Sequence, residues 1–296
     1  MDYLWVGVGV ILVTVTILDI FETLLDPEDQ GRLTSGIAWI VWGVSRHLPV
    51  PLLTYAGPIA YVSVLATWAL LLVAGGAFVY WPFLPDGFAF DSGLEDEHRT
   101  GFLTAFYLSL VTFSTLGYGD ITPTIGWLRL VGPLQTLVGF FLLSAAITWI
   151  LAIYQDIETR RTLAHETTLL KQALDSGPEE LTDLRADSVE QLIDQVTTRF
   201  VSVTGSLNQF PITYFFRISD ERQSLAVMAL FLCELSETLN REELPAEVRL
   251  RARMLSGALD HFAEALQARF IDAGSGASTR EILEAYAADH RRKARH

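Results

Sequence analysis

Four stretches of 16 residues or more in the first half of this chain carry no charged side chain: residues 3–18, 48–85, 101–119 and 130–155. Crossing a bilayer's hydrocarbon takes about 20 apolar residues in a helix. The second and fourth stretches meet that length. The first meets it if its helix carries Asp19 and Glu22 into the headgroups and ends near Leu25, Asp26 and Pro27. The third is too short to cross and holds Ser, Thr and, toward its end, Gly117 and Gly119. It is expected to enter the membrane and turn back, which irregular backbone does only where protein buries it or it lines water. A chain-wide composition of 50% hydrophobic and 19% charged residues agrees with a membrane protein. The first 155 residues hold 12 acids and four bases and the remainder 23 acids and 17 bases, so the two halves are different materials. A net charge of −14 disfavours a nucleic-acid partner. The single Cys233 excludes a disulfide framework and a Cys-based zinc site. The N-terminus, with Asp2, no basic region and no A-x-A site, does not read as a cleavable signal.

The third stretch and its flank read FLTAFYLSLVTFSTLGYGDITP. The string T-x-G-Y-G-D at Thr115 to Asp120, followed by Thr122 and Pro123 and flanked by two membrane-length runs, resembles the pore loop of potassium channels. The resemblance covers roughly residues 52–155; the rest has a vaguer likeness to bacterial channels with one extra N-terminal helix. It implies an all-α membrane protein with a tetrameric potassium-channel-type pore (outer helix, pore helix, filter loop, inner helix) joined to an all-α cytosolic domain. It implies no enzymatic activity and no cofactor beyond permeant K+ ions. Leu116 stands where Val is most usual, and residues 106–108 lack the paired Trp of many relatives. Neither departure changes the number of carbonyls.

The physics of the motif supports the same reading. A dehydrated cation needs oxygens at fixed spacing around an axis, and backbone carbonyls supply them if they all point one way. The alternating conformations this requires suit glycine at 117 and 119. The carbonyls of Thr115, Leu116, Gly117 and Tyr118, with the Thr115 hydroxyl, would then form K+ sites, and Gly119 closes the filter. Tyr118 is expected to brace against Phe106 and Tyr107, and Asp120 to hydrogen-bond behind the filter. A pore helix over about 100–113 would aim its negative end at the ion.

One loop cannot encircle an ion, and no second T-x-G-Y-G exists in the chain, so a homotetramer in the lipid bilayer is expected. Arginines favour the cytoplasmic side. With three spans, Arg32, Arg46, Arg160 and Arg161 fall inside with the C-terminus of a plasma-membrane protein, the N-terminus lies outside, and Asp86, Asp91, Glu95, Asp96 and Glu97 form an acidic outer turret. The reading divides the chain into 1–50 (first span and an interfacial helix), 51–155 (pore domain) and 156–296 (cytosolic helical domain). Residues 33–48, with Trp39 and Trp42, are expected to lie at the membrane interface.

The inner helix carries Phe140, Leu143, Ile147 and Leu151 on one stripe, expected to line the pore. The resemblance places a hinge glycine at Gly139, and rings of Leu143, Ile147 or Leu151 would gate by dewetting. No arginine-bearing span suggests a voltage sensor, and no G-x-G-x-x-G follows a strand. The inner helix is expected to continue to about 174, a further helix to start at Pro178 to Glu180, and FPITYFF (210–216) to be extended. Helices are also expected over 220–240 and 245–270, with a last one capped by Ser278 and Glu281. Asp260, His261 and Glu264 read as a solvated helix face, Cys233 as core and the tail 290–296 as a disordered basic segment. The cytosolic ligand or partner is not named by any motif. The alternatives are a cation channel of relaxed selectivity and a non-conducting, membrane-anchored helical signalling protein.

Overall fold

A computed structural model describes residues 2–26, 30–91, 100–176, 185–218, 220, 224–274 and 276–290. The expected helix start at 178–180, the turret residues Glu95, Asp96 and Glu97, and most of the basic tail lie outside the described residues. The helices are α1 (Asp2–Leu25), α2 (Arg32–Ser45), the short α3 (Val50–Leu53), α4 (Ala56–Tyr80), α5 (Phe102–Phe113), α6 (Leu128–Ser176), α7 (Ala186–Gln209), α8 (Leu225–Leu239), α9 (Ala246–Arg269) and α10 (Thr279–Asp289). Strands β1 (Phe88–Phe90) and β2 (Ile121–Pro123) pair antiparallel, Phe88 opposite Pro123 and Phe90 opposite Ile121. Three helices are long and apolar enough to cross a membrane: Tyr3–Leu25, Ala56–Phe83 and Leu128–Ser176. The protein is therefore an all-α membrane protein, with α5 as a shorter apolar helix between the last two.

The chain forms two compact units, one of residues 1–39 and 60–151, the other of residues 40–59 and 152–296. In the first, α1 and α4 cross where Gly9 faces the Gly75 carbonyl and Gly75 faces Val13. Any Cβ at either glycine would collide there, and small residues of this kind let membrane helices approach closely. Trp5 stacks on Phe78 at 5.6 Å and leans on Trp81.

Asp19, expected among the headgroups, is covered by its own chain and only 4% exposed. Its carboxylate accepts hydrogen bonds from the Leu33 amide, the Thr34 hydroxyl and the Trp68 indole, each at 2.8 Å. Thr23 extends the network, donating to Thr34 and accepting from the Gly31 amide, each at 3.1 Å. Asp19 thus caps the first turn of α2 from another helix, a role open to any carboxylate near orphan amides.

The second unit is a helical bundle in which α7 and α8 pack on α9 and α10 packs on both α8 and α9. Phe200 meets Phe262 edge-on at 5.2 Å, and Phe262 meets Tyr286 at 5.9 Å. The segment expected to be extended is a 3₁₀ turn, Pro211–Phe215, buried throughout. Pro211 fixes the turn's first dihedral and removes a donor. The aromatic residues then find a core instead of a partner strand: Tyr214 stacks on Phe270 at 4.1 Å and donates to Asp289 at 2.6 Å. Trp42 is also a correction to the interfacial reading. It is fully buried, packs on Tyr214 and Phe215 and donates its indole N–H to Asp289 at 2.9 Å. Ser278 and Glu281 form the expected capping box.

Candidate ion pathway

α5 begins at Phe102, two residues after the expected start and with Gly101 as its N-cap, and ends at Phe113, where the chain leaves helical geometry. Ser114 and Thr115 still reach back to α5 carbonyls, at Leu110 (2.9 Å) and Thr112 (3.1 Å). The Leu116 amide donates to the Val111 carbonyl at 3.0 Å. Beyond that point backbone φ alternates in sign along the loop, positive at Thr115 (63°), Gly117 (54°) and Gly119 (79°) and not at Leu116 or Tyr118. Alternation of this kind turns successive carbonyls toward one side. The glycines at 117 and 119 take positive φ as their residue type favours, whereas Thr115 adopts it at a cost its sequence gives no hint of.

Thr115 to Gly119 are all exposed within the single chain, Leu116 by 59% and Tyr118 by 67%. Within its own chain Tyr118 makes no ring contact with Phe106 or Tyr107 among the described residues. It is Tyr107 that supports the loop, donating its hydroxyl to Asp120 at 2.7 Å. The Asp120 carbonyl in turn accepts the Asp91 amide at 2.9 Å, which ties the loop's exit to the end of β1.

Behind the loop lies a polar chain that the sequence does not disclose. Tyr80 donates to Gln135 (2.8 Å), Gln135 donates to the Ser109 hydroxyl (2.6 Å), and Ser109 donates to the Val73 carbonyl (2.6 Å). It links α4, α5 and α6 at a depth where an unpaired polar group is costly, so each member holds the next in place. A sequence signal exists only in hindsight, as lone polar residues on otherwise apolar helices. Thr136 completes the support by donating to the Thr112 carbonyl at 3.0 Å, the same oxygen that accepts the Thr115 amide at the end of α5.

Gly139 stands where α6 passes the end of α5. A Cβ there would collide with the Phe113 carbonyl oxygen, so the glycine serves close packing at this point. Phe140, Leu143, Ile147 and Leu151 follow on one face and are 58%, 61%, 54% and 66% exposed, an apolar stripe with no cover from its own chain. On another face, Trp149 packs between Tyr61 and Trp68, with ring centroids 5.0 and 5.6 Å away. Elsewhere, no group of three metal-capable side chains gathers among the described residues. His261 and Glu264 pair on an exposed face, and Asp260 instead accepts the Thr279 hydroxyl.

Residues 67–156 match the family model described as an ion channel. The match takes in most of α4, the whole of α5 and the loop after it, and α6 as far as Asp156. An uncharacterized membrane protein of Bacillus subtilis (strain 168), YdjJ, is 21% identical over 250 residues, which is 81% of this chain and 70% of that protein. No solved structure matches the chain.

Proposed function

We propose that the protein, whose residues 67–156 match the ion-channel family model, is a potassium-selective channel and that four copies surround one pore. The observation that carries this reading is the alternation of φ at Thr115, Gly117 and Gly119 in a loop left exposed by its own chain. Backbone in that state at membrane depth needs a polar axis and neighbours. Four such loops supply both, stacking the carbonyls of Thr115, Leu116, Gly117 and Tyr118 as K+ sites with no group other than the permeant ion.

The uncovered stripe of Phe140, Leu143, Ile147 and Leu151 belongs on the same axis below the filter, where rings of leucine and isoleucine close the path by dewetting. Arg32, Arg46, Arg160 and Arg161 put the C-terminal unit in the cytoplasm and the N-terminus outside. Continuity of α6 from Leu128 to Ser176 then makes it the element through which the cytosolic helices act on the pore.

The test is reconstitution of the purified chain into potassium-loaded liposomes, with its native mass measured in the same preparation. The expected result is a mass of four chains and a potassium efflux that protein-free liposomes lack. Efflux at the protein-free rate from tetrameric, folded protein would count against the reading.

A further inference from the structure

Arg160 lies on the cytosolic continuation of α6 and is only 6% exposed. It makes one hydrogen bond, from Nη2 to the Thr213 carbonyl at 2.8 Å, and its Nε has no partner. No carboxylate among the described residues lies within ion-pair distance of it. Asp156, four residues earlier on the same helix, acts on it electrostatically; it takes a hydrogen bond from Ser206, and its buried Oδ2 has no hydrogen-bond partner, so the two charges face each other without a direct bond. Asp289 is already held by Trp42, Tyr214 and Arg46. A buried guanidinium whose Nε meets no acceptor is expensive, and folded proteins supply the acceptor from a side chain, a water or a ligand.

The surroundings favour a ligand. Arg160 lines a recess of about 20 Å³ together with Arg217, Ser224, Leu225, Ala226 and His290. Arg217 is as buried as Arg160 and is oriented by donating Nε to the His290 carbonyl at 3.0 Å. Ser224 is the N-cap of α8, a helix of 15 residues, and its side chain makes no capping bond. The first-turn amides of Leu225 and Ala226 have no intrahelical carbonyl to reach and carry the positive end of the helix. Donors therefore come from three separate elements: α6, the segment after the 3₁₀ turn, and the start of α8. Convergence from three directions on one point suits a single charge-dense oxygen, and a phosphoryl oxygen accepts several such hydrogen bonds at once. The recess holds about one water-sized group, so an oxyanion's oxygen enters while the rest of the ligand stays outside.

We propose that this recess is a binding site for the phosphoryl group of an anionic ligand, and that its occupancy regulates the pore through α6. The regulatory half rests on the channel reading; the binding half does not. A free phosphorylated metabolite and a phosphomonoester lipid headgroup present the same chemistry, and the experiment separates them.

Thermal unfolding of the purified full-length chain is followed while inorganic phosphate replaces chloride at constant ionic strength. A saturable rise in Tm is expected for the natural sequence. Arg160→Met should weaken the half-saturating concentration about tenfold or more, since a charged hydrogen-bonding partner is lost. Arg251→Met, which removes an arginine outside the recess that pairs with Asp194, should leave it unchanged. Should Arg160→Met fail to fold, Ser224→Ala and the dose response of the natural sequence still decide. Potassium efflux is then compared in phosphatidylcholine vesicles, with and without phosphate, and in vesicles containing phosphatidic acid. A change in efflux on adding phosphate assigns a soluble ligand. A change with phosphatidic acid alone, abolished by Arg160→Met, assigns a headgroup. No saturable Tm shift and no response to phosphatidic acid, or responses identical in Arg160→Met, would overturn the site. A phosphate-dependent Tm shift in a protein that conducts nothing would leave the site standing and remove the channel reading instead.

Discussion

Gly117→Ala adds one methyl group to a position with empty space around it: no atom of the chain lies within 4 Å of where its Cβ would sit. Within one chain the effect therefore comes from the backbone, held at φ 54°. Left-handed geometry costs an L-residue about 1–2 kcal/mol, and with four copies around one pore the sum is roughly 4–8 kcal/mol if the sites act independently. That is too little per subunit to unfold a domain whose stability is about 5–15 kcal/mol. It is ample to invert a balance between conducting and collapsed loops that differ by a few kcal/mol. The assay is potassium efflux from liposomes, with assembly checked by native mass. Tetrameric protein with lost or unselective efflux is expected. D-Alanine at the same position, introduced by chemical ligation, carries the same methyl group but prefers positive φ, and should restore conduction. Normal potassium efflux and selectivity from the L-alanine variant would refute the reasoning, as would equal loss with both isomers.

Asp19→Ala strands the Leu33 amide, the Thr34 hydroxyl and the Trp68 indole N–H; at about 1–3 kcal/mol for each buried unsatisfied donor, thermal unfolding in detergent should fall by several degrees, with Asp19→Asn in between. Gly139→Ala drives a methyl group into the Phe113 carbonyl; the expected outcome is reduced efflux at normal expression, because the end of α5 must shift, whereas a pure hinge role would leave the resting loop geometry untouched. Burial, aided by the charge of Glu237, pushes the Cys233 thiol up from its ordinary value. Its alkylation near neutral pH should therefore be much slower than that of a free thiol and should quicken only as pH rises, which mass spectrometry of maleimide-treated protein would measure.

What the sequence disclosed follows from how local each constraint is. The three spans are legible because hydrocarbon demands long uncharged runs: α1 and α6 begin within two residues of where their runs do, and α4 begins inside its run, at Ala56. The glycines of the loop were legible because positive φ selects them, whereas Thr115 carries the same geometry as a residue type that gives no sign of it. Asp19 reads as a hydrated acid because its three donors come from positions 33, 34 and 68, and distance in sequence hides them. Trp42 was assigned to the membrane interface because an aromatic, apolar helix face has one composition whether lipid or protein covers it. Gly139 was read as a hinge from its place in the chain, and only the course of α5 past it reveals the packing it permits. The recess around Arg160 had no sequence signature at all, since its donors are drawn from α6, the segment after the 3₁₀ turn and α8.

The most direct measurement is the reversal potential of the reconstituted protein with potassium on one side of a planar bilayer and a mixture of potassium and sodium on the other. A filter of backbone carbonyls should make that potential follow the potassium gradient alone, moving by about 59 mV for each tenfold change, with sodium acting as an inert replacement. A potential that stays near zero as sodium replaces potassium would contradict a potassium-selective pore and leave a cation channel of relaxed selectivity in its place.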